Sequence, residues 1–141
     1  MIRGNASRKS KTVLFIDDES PWLEAVKLAV TSKAFTIMTA DSGEAALRQL
    51  NRKMPDLILS DVRMPIMNGF DLFEKIRSNP KFKDVPYVFM SSIDDFDAQH
   101  TAKSIGADDY VTKPLSTEEV KTVVLHLLMR FKEKDKPINP L

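Results

Sequence analysis

Short apolar runs and longer amphipathic segments alternate along the chain. Five runs are rich in β-branched and other apolar residues, and polar or turn-forming residues bound each of them: Thr12–Asp17, Phe35–Ala40, Asp56–Asp61, Val85–Ser91 and Asp109–Thr112. The third and fourth runs are nearly continuous in apolar residues, which is typical of strands buried on both faces of a parallel sheet. The pattern therefore predicts five parallel strands, each followed by a helix.

The segment after the fifth run has the clearest helical period. Its apolar residues recur at spacings of three and four, on one face of a helix: Val120, Val123, Val124, Leu127, Leu128 and Phe131. Such a face packs on a sheet, and right-handed crossovers between parallel strands place helices on both sides of it. We therefore predict a doubly wound α/β domain over residues 12–131, with a basic tail at 1–11 and a polar tail or linker at 132–141.

Local signals predict where some helices begin and end. Ser20, which precedes Pro21, is an expected N-cap, and so is Asp41 after the second run. Gly106 stands where a helix would end on a residue in the left-handed conformation.

Composition excludes several kinds of chemistry. The 141 residues include no cysteine, two histidines and four dispersed glycines. Disulfides, thiolate metal sites, cysteine nucleophiles and glycine-rich nucleotide loops are therefore ruled out. No apolar run reaches the roughly 18 residues of a membrane span, and residues 1–11 do not resemble a secretory signal. We expect a cytoplasmic protein that does not enter a membrane.

The charge is unevenly distributed, although the net charge is only +1. Residues 1–11 carry four basic and no acidic side chains, and residues 130–141 carry four basic and two acidic ones, so residues 12–129 are acidic on balance. An acidic domain does not favour DNA or RNA as its partner. We expect no direct nucleic-acid binding by the domain and interpret the basic ends as solvated tails.

Acidic side chains lie at the ends of the first and third runs: Asp17 ends the first and Asp18 follows it, and Asp61 ends the third. Ligand sites in open parallel sheets form at the carboxyl ends of the strands. If these two strands are neighbours, about 4.8 Å apart, the three carboxylates meet in one pocket. Two carboxylates about 4 Å apart repel by roughly 4 kcal/mol at an effective dielectric constant of 20. The cluster therefore needs a proton or a cation, and a small all-oxygen ligand set favours Mg²⁺.

Two further polar residues end strands of the same predicted sheet: Ser91 on the fourth and Lys113 just after the fifth. A divalent cation, an ammonium group and a hydroxyl around a carboxylate are groups used in phosphoryl transfer. The serine has no base beside it, whereas a carboxylate can attack directly to give an aspartyl phosphate. Asp61 is therefore the candidate nucleophile.

Four motifs, in order, match one known family: FIDDE at 15–19, DLILSDVRMPIMNGFDL at 56–72, VFMSS at 88–92 and GADDYVTKP at 106–114. On these motifs, about residues 11–131 resemble the receiver domain of bacterial two-component response regulators, chemotaxis regulators included. The resemblance implies a flavodoxin-like, doubly wound five-stranded parallel sheet of order 2-1-3-4-5 with five helices.

The resemblance also implies a function, that of a phosphoacceptor switch in phosphorelay signal transduction. A sensor histidine kinase or a histidine phosphotransfer protein would supply the phosphoryl group. The domain would not be an enzyme beyond accepting the group and slowly losing it. Its partner-binding face would change on phosphorylation, with dimerisation as one outcome.

Metal and phosphoacceptor roles follow from the resemblance position by position. Asp61 is implied to be the phosphoacceptor and a Mg²⁺ ligand. Asp18 is implied to bind the ion directly, Asp17 through water, and Arg63 through its backbone carbonyl.

The resemblance implies three further roles. Lys113 would pair with Asp61 and then with the phosphoryl oxygens, and Ser91 would donate its hydroxyl to the phosphoryl group. Tyr110 would follow Ser91 by turning from solvent to the interior. The Lys113–Pro114 peptide bond would be cis. Asn68, where many relatives have Asp, is still expected to cap the third helix.

Three other functions compete with the switch. A Mg²⁺-dependent phosphohydrolase resembling the haloacid dehalogenases uses an aspartyl nucleophile but needs a second acid at D-x-D, and here Asp61 is followed by Val62 and Arg63. A flavin carrier would want a hydroxyl- and glycine-rich loop after the first strand, where this chain is acidic. A phosphorylation-independent interaction module would not need the complete residue set that this chain has.

Overall fold

Strands and helices alternate along the whole described chain. The computed structural model describes residues 10–30, 32–113 and 116–134. The strands are β1 (Lys11–Ile16), β2 (Phe35–Ala40), β3 (Leu57–Asp61), β4 (Tyr87–Ser91) and β5 (Asp109–Thr112). The helices are α1 (Ser20–Ala29), α2 (Gly43–Arg52), α3 (Gly69–Arg77), α4 (Phe96–Ser104) and α5 (Thr117–Lys134), with a short 3₁₀ turn at Pro80–Phe82.

All the strands pair in parallel, in the order β2-β1-β3-β4-β5. The predicted fold class and strand order are confirmed. β2 is added on one side of β1, and β3, β4 and β5 are added on the other side. The direction in which successive strands are added to the sheet therefore reverses at β1. A crevice forms at such a switch point, outside the carboxyl ends of the strands.

Two apolar layers hold the helices on the sheet, one on each face. Side chains alternate along the strands, so Leu14, Ile16 and Ile58 face one layer while Phe15 and Leu59 face the other. The first layer packs against α2, α3 and α4, and the second against α1 and α5. The predicted apolar face of α5 supplies four of the buried residues of the second layer: Val120, Val124, Leu127 and Phe131.

Strand ends differ by one or two residues from the predicted runs. β1 ends at Ile16, so Asp17 lies in the following loop rather than in the strand. β4 begins at Tyr87 because Pro86 has no N–H to donate to the ladder, although its carbonyl accepts from Ile58 N–H at 2.9 Å.

Two of the predicted N-cap residues differ from those in the structure. Glu19 occupies the N-cap position of α1 without a side-chain cap, so the prediction of Ser20 was wrong. Ser42, and not the predicted Asp41, caps α2 with its side chain. The prediction for Gly106 is confirmed, since it follows α4 with φ +85°.

Two predictions fall partly outside the described residues. The Lys113–Pro114 peptide cannot be compared, because residues 114–115 are not among those described. Residues 1–9 and 135–141 of the expected tails are not described either, and the part of the expected carboxyl-terminal tail at 132–134 continues α5. Within the described part, no helix combines the length and the apolar character needed to cross a membrane.

Candidate functional site

Three carboxylates meet at the carboxyl edge of the sheet. The β1–β3 register pairs Ile16 with Ser60, so the next residues, Asp17 and Asp61, emerge side by side. Asp18 follows on the β1–α1 loop. One carboxylate oxygen from each of Asp17, Asp18 and Asp61 lies within 4.8 Å of the others. The structure thus brings together the three acids that the sequence places at neighbouring strand ends.

The three acids differ in exposure. Asp17 is 0% exposed and Asp61 is 3% exposed, whereas Asp18 faces solvent. Asp17 Oδ1 accepts a hydrogen bond from Glu19 N–H at 3.0 Å, which fixes the carboxylate against the loop. Asp17 Oδ2 lies 3.2 Å from Lys113 Nζ, but no hydrogen bond reaches it from the described residues. This buried oxygen is thus incompletely satisfied, as expected of a site that takes a cation.

Lys113 lies between the two buried carboxylates. Its Nζ donates to Asp61 Oδ2 at 3.1 Å, and its backbone N–H donates to the Ser91 carbonyl at 2.7 Å. The backbone bond attaches the β5–α5 loop to the end of β4 and so aims the side chain. Burial alone would lower the pKa of Lys113, but the hydrogen bond and charge of Asp61, together with Asp17, outweigh it and raise that pKa.

The environment of Asp61 opposes its ionisation on balance. Burial raises its pKa from 3.8 to about 6, although the hydrogen bond and charge of Lys113 act in the opposite direction. The neighbouring charges of Asp17 and Asp18 raise the pKa further. At neutral pH, Asp61 is therefore an ionised carboxylate in a site that solvates its charge poorly.

The start of α3 packs closely against the backbone carbonyl of Asp61. A Cβ on Gly69, the first residue of α3, would lie 2.2 Å from the Asp61 carbonyl oxygen, so only glycine fits here. Gly69 N–H donates to the Val62 carbonyl at 2.9 Å. The predicted cap is present, because Asn68 and Asp71 form a reciprocal capping box at the start of α3. These contacts fix the loop that carries Arg63.

Ser91 ends β4 and is 3% exposed. Its hydroxyl donates to Asp95 Oδ2 at 2.9 Å and not to Asp61. Arg63 lies on the β3–α3 loop, and its side chain points to the same Asp95: Nε donates to Oδ2 and Nη2 to Oδ1, both at 2.9 Å. Sequence analysis missed Asp95 altogether. The only signal was an acid just before a helix, which predicts a cap and no partner.

Tyr110 differs from its expected starting position. Its side chain packs against the layer under α2, α3 and α4, and its hydroxyl is buried with no hydrogen-bond partner among the described residues. The solvent-facing orientation that the resemblance implied is therefore not the one in this structure. The role of Tyr110 as a switch remains a prediction.

The sequence model for the response regulator receiver domain matches residues 13–125. This chain belongs to the response regulator receiver family. Receiver domains are signalling domains and not classical enzymes, so the family match favours the switch over the phosphohydrolase. The family predicted from the four motifs is confirmed.

Relatives and solved structures agree with this assignment. The probable transcriptional regulatory protein TcrX of Mycobacterium tuberculosis is 38% identical over 120 residues, which are 84% of this chain and 50% of TcrX. The probable transcriptional regulator ycf27 of Guillardia theta is 32% identical over 118 residues, 84% of this chain and 45% of that protein. The receiver chain thus spans about half the length of these curated relatives. A putative response regulator from Chloroflexus aurantiacus superimposes with a TM-score of 0.73 at 30% identity, covering 86% of this chain and 99% of that one.

Proposed function

We propose that this receiver domain is a phosphoacceptor switch in which Asp61 takes a phosphoryl group from a sensor histidine kinase or a histidine phosphotransfer protein. The supporting observation is the setting of Asp61: 3% exposed, clustered with Asp17 and Asp18, and hydrogen-bonded to Lys113 at 3.1 Å. A carboxylate that is ionised but poorly hydrated is suited to direct attack on phosphorus. The action is proposed for the cytoplasm, without direct contact with nucleic acid.

The residues present fit a Mg²⁺ ion. All three acids offer hard oxygen donors, and Asp17 Oδ2 is buried without a hydrogen bond from the described residues. Asp18 and Asp61 would bind the ion directly, Asp17 through water, and Arg63 through its backbone carbonyl. The exposure of Asp18 suits an ion that keeps part of its water shell. When bound, Mg²⁺ would neutralise the carboxylates and the incoming phosphoryl oxygens.

The transfer itself would use Asp61 and Lys113. An Asp61 carboxylate oxygen attacks phosphorus, and the new O–P bond forms as the P–N bond to the donor histidine breaks. The donor ring is protonated on its other nitrogen before the transfer, so it leaves as neutral imidazole. Before the transfer, Lys113 Nζ donates a hydrogen bond to Asp61 Oδ2. After the transfer, it would donate that hydrogen bond to a phosphoryl oxygen instead. Attack of water on phosphorus later releases phosphate and restores the carboxylate, which is slow turnover of the switch and not catalysis of an external substrate.

The output would be a change in the surface formed by α4, β5 and α5. An aspartyl phosphate adds about one to two negative charges and strong acceptor oxygens to the pocket. Ser91 is the hydroxyl proposed to bind them, and Tyr110 is the neighbouring switch residue. A cleft of about 370 Å³ between α4 and β5 is lined in part by Tyr110 and Lys103, so a change in either element reshapes it. This surface is the proposed contact for the output domain or protein, or for a phosphorylation-dependent dimer.

Intact-mass analysis after incubation with Mg²⁺ and acetyl phosphate tests the function. The expected result is one base-labile phosphoryl group per chain, absent when EDTA replaces Mg²⁺. Asp61→Asn should abolish the label, while Asp41→Asn, which removes an exposed acid after β2, should retain it. Undiminished labelling of Asp61→Asn would contradict the proposal.

A further inference from the structure

A hydrogen-bonded bridge connects the two loops beside the candidate phosphoacceptor site. Its centre is the Asp95 carboxylate, which accepts Nε and Nη2 of Arg63 from the β3–α3 loop and the hydroxyl of Ser91 from the end of β4. Each of these bonds measures 2.9 Å. None of the roles assigned so far uses Asp95.

Four hydrogen bonds position the Asp95 carboxylate. Asp95 is the N-cap of α4, where Oδ1 also accepts Ala98 N–H at 3.2 Å. Each carboxylate oxygen therefore receives two hydrogen bonds, one of them from the guanidinium of Arg63. A guanidinium that binds a carboxylate with two parallel hydrogen bonds fixes both its position and its charge. Ser91 consequently donates to an ionised carboxylate that accepts three further hydrogen bonds, two of them from the largely exposed side chain of Arg63.

The Ser91 hydroxyl has a single hydrogen, so it donates to one acceptor at a time. In this structure the acceptor is Asp95 Oδ2, and the hydroxyl is not available to a group on Asp61. An aspartyl phosphate that recruits Ser91 must first break the bond to Asp95. The two acceptors compete for the same hydrogen.

We propose that Asp95 is a positioning residue that holds the Ser91 hydroxyl away from the phosphoryl site, with Arg63 fixing Asp95 in that role. The proposal rests on the proposed function of Asp61 and adds a residue that opposes it. Weakening the Ser91–Asp95 bond makes a phosphoryl group at Asp61 bind more favourably, because less is lost when Ser91 turns toward it.

The bridge itself is tested in the metal-free, unphosphorylated chain. Arg63 Nε–H should give a slowly exchanging side-chain NMR signal, because it donates to a carboxylate. Asp95→Asn should remove that protection while keeping the helix, since Asn is also a good N-cap. Asp97→Asn removes an equal charge from the first turn of α4. The charge of Asp97 acts on Arg63, but Asp97 has no hydrogen bond to Arg63 or Ser91 among the described residues, so the signal should persist. Loss of protection in both variants, or in neither, would overturn the bridge.

Competition is tested by calorimetric titration with beryllium fluoride, a phosphoryl analogue, in the presence of Mg²⁺. Replacing a charged acceptor by a neutral one weakens a hydrogen bond by about half, so Asp95→Asn should lower the dissociation constant about five-fold. In a Ser91→Ala background the same change should have almost no effect, because no hydroxyl remains to be released. Asp97→Asn should leave the wild-type constant within about two-fold, which limits any general effect of charge.

The outcomes separate the two proposals. If wild type binds the analogue but Asp95→Asn changes affinity equally with and without Ser91, the competition is wrong and the phosphoacceptor function stands. If wild type does not bind the analogue at all, the proposed function fails and the competition fails with it. In that case the NMR result still reports whether the bridge exists.

Discussion

At the residue scale, burial and Lys113 act in opposite directions on the pKa of the Asp61 carboxyl. Burial raises its pKa, Lys113 lowers it, and the other two acids raise it again, with a net change from 3.8 to about 6. That change corresponds to about 3 kcal/mol of free energy that ionised Asp61 removes from the metal-free fold. Because the ionised carboxylate is unfavourable without a metal ion, the site favours binding of a cation that neutralises its charge.

This cost predicts a pH-dependent stability. Between about pH 4 and pH 6 the native state keeps a proton that the unfolded state has lost, so the free energy of unfolding falls as pH rises. Without metal, Asp61→Asn should therefore be more stable than wild type by about 3 kcal/mol above pH 6, and the difference should close as pH falls to about 4. Urea denaturation across this range measures it.

The control for that experiment is Asp41→Asn, at an exposed acid on the same edge of the sheet. It should change stability little at any pH in the range. A stabilisation by Asp61→Asn that is the same at pH 4 and pH 7 would contradict the electrostatic account, since it would have no connection with ionisation.

At the element scale, the approach of α3 to β3 determines where the site lies. A Cβ at Gly69 would meet a backbone oxygen at 2.2 Å, and a backbone atom cannot rotate away as a side chain does. Gly69→Ala should therefore cost about 3 kcal/mol or more, at the upper end of overpacking effects. It should also reduce phosphorylation, because the backbone at Asp61 must shift to make room.

Gly106→Ala is the matched control for Gly69→Ala. Apart from its chain neighbours, none of the described residues lies within 4 Å of its added Cβ, but the backbone has φ +85°. Alanine there should cost only the left-handed penalty of about 1–2 kcal/mol and leave phosphorylation unchanged. Urea denaturation should rank Gly69→Ala as the more destabilising variant, and the reverse order would show that the contact relaxes easily.

At the scale of the whole molecule, much of the architecture follows from short-range sequence patterns. Apolar β-branched runs and the period-3.6 apolar pattern are local signals, so they predict the strands and α5. The acids at strand ends converge because parallel strands finish at one edge of the sheet. The bridge was not predictable in this way, since Arg63 and Asp95 are 32 residues apart and either could pair with several other charges. The same holds for Tyr110, whose orientation depends on packing against other elements.

The caps show a different limit of prediction. Ser20 and Ser42 are both plausible N-caps by residue type, yet only Ser42 caps its helix with its side chain. At α1, the Asp17 carboxylate takes the Glu19 N–H, so the acidic site itself determines how that helix begins. This hydrogen bond joins residues only two apart, so it is a local contact that competes with side-chain capping of the helix.

Among the three clustered carboxylates, Asp61 is the one proposed to receive the phosphoryl group. A loss of labelling in Asp61→Asn would also follow if the variant only failed to bind Mg²⁺, so the position must be mapped in the wild-type chain. Treating the phosphorylated chain with sodium borohydride reduces an acyl phosphate to an alcohol, and peptide mass spectrometry locates the reduced side chain. The predicted result is reduction at position 61 alone, and only when Mg²⁺ was present. Reduction at position 17 or 18, with position 61 unchanged, would contradict the account.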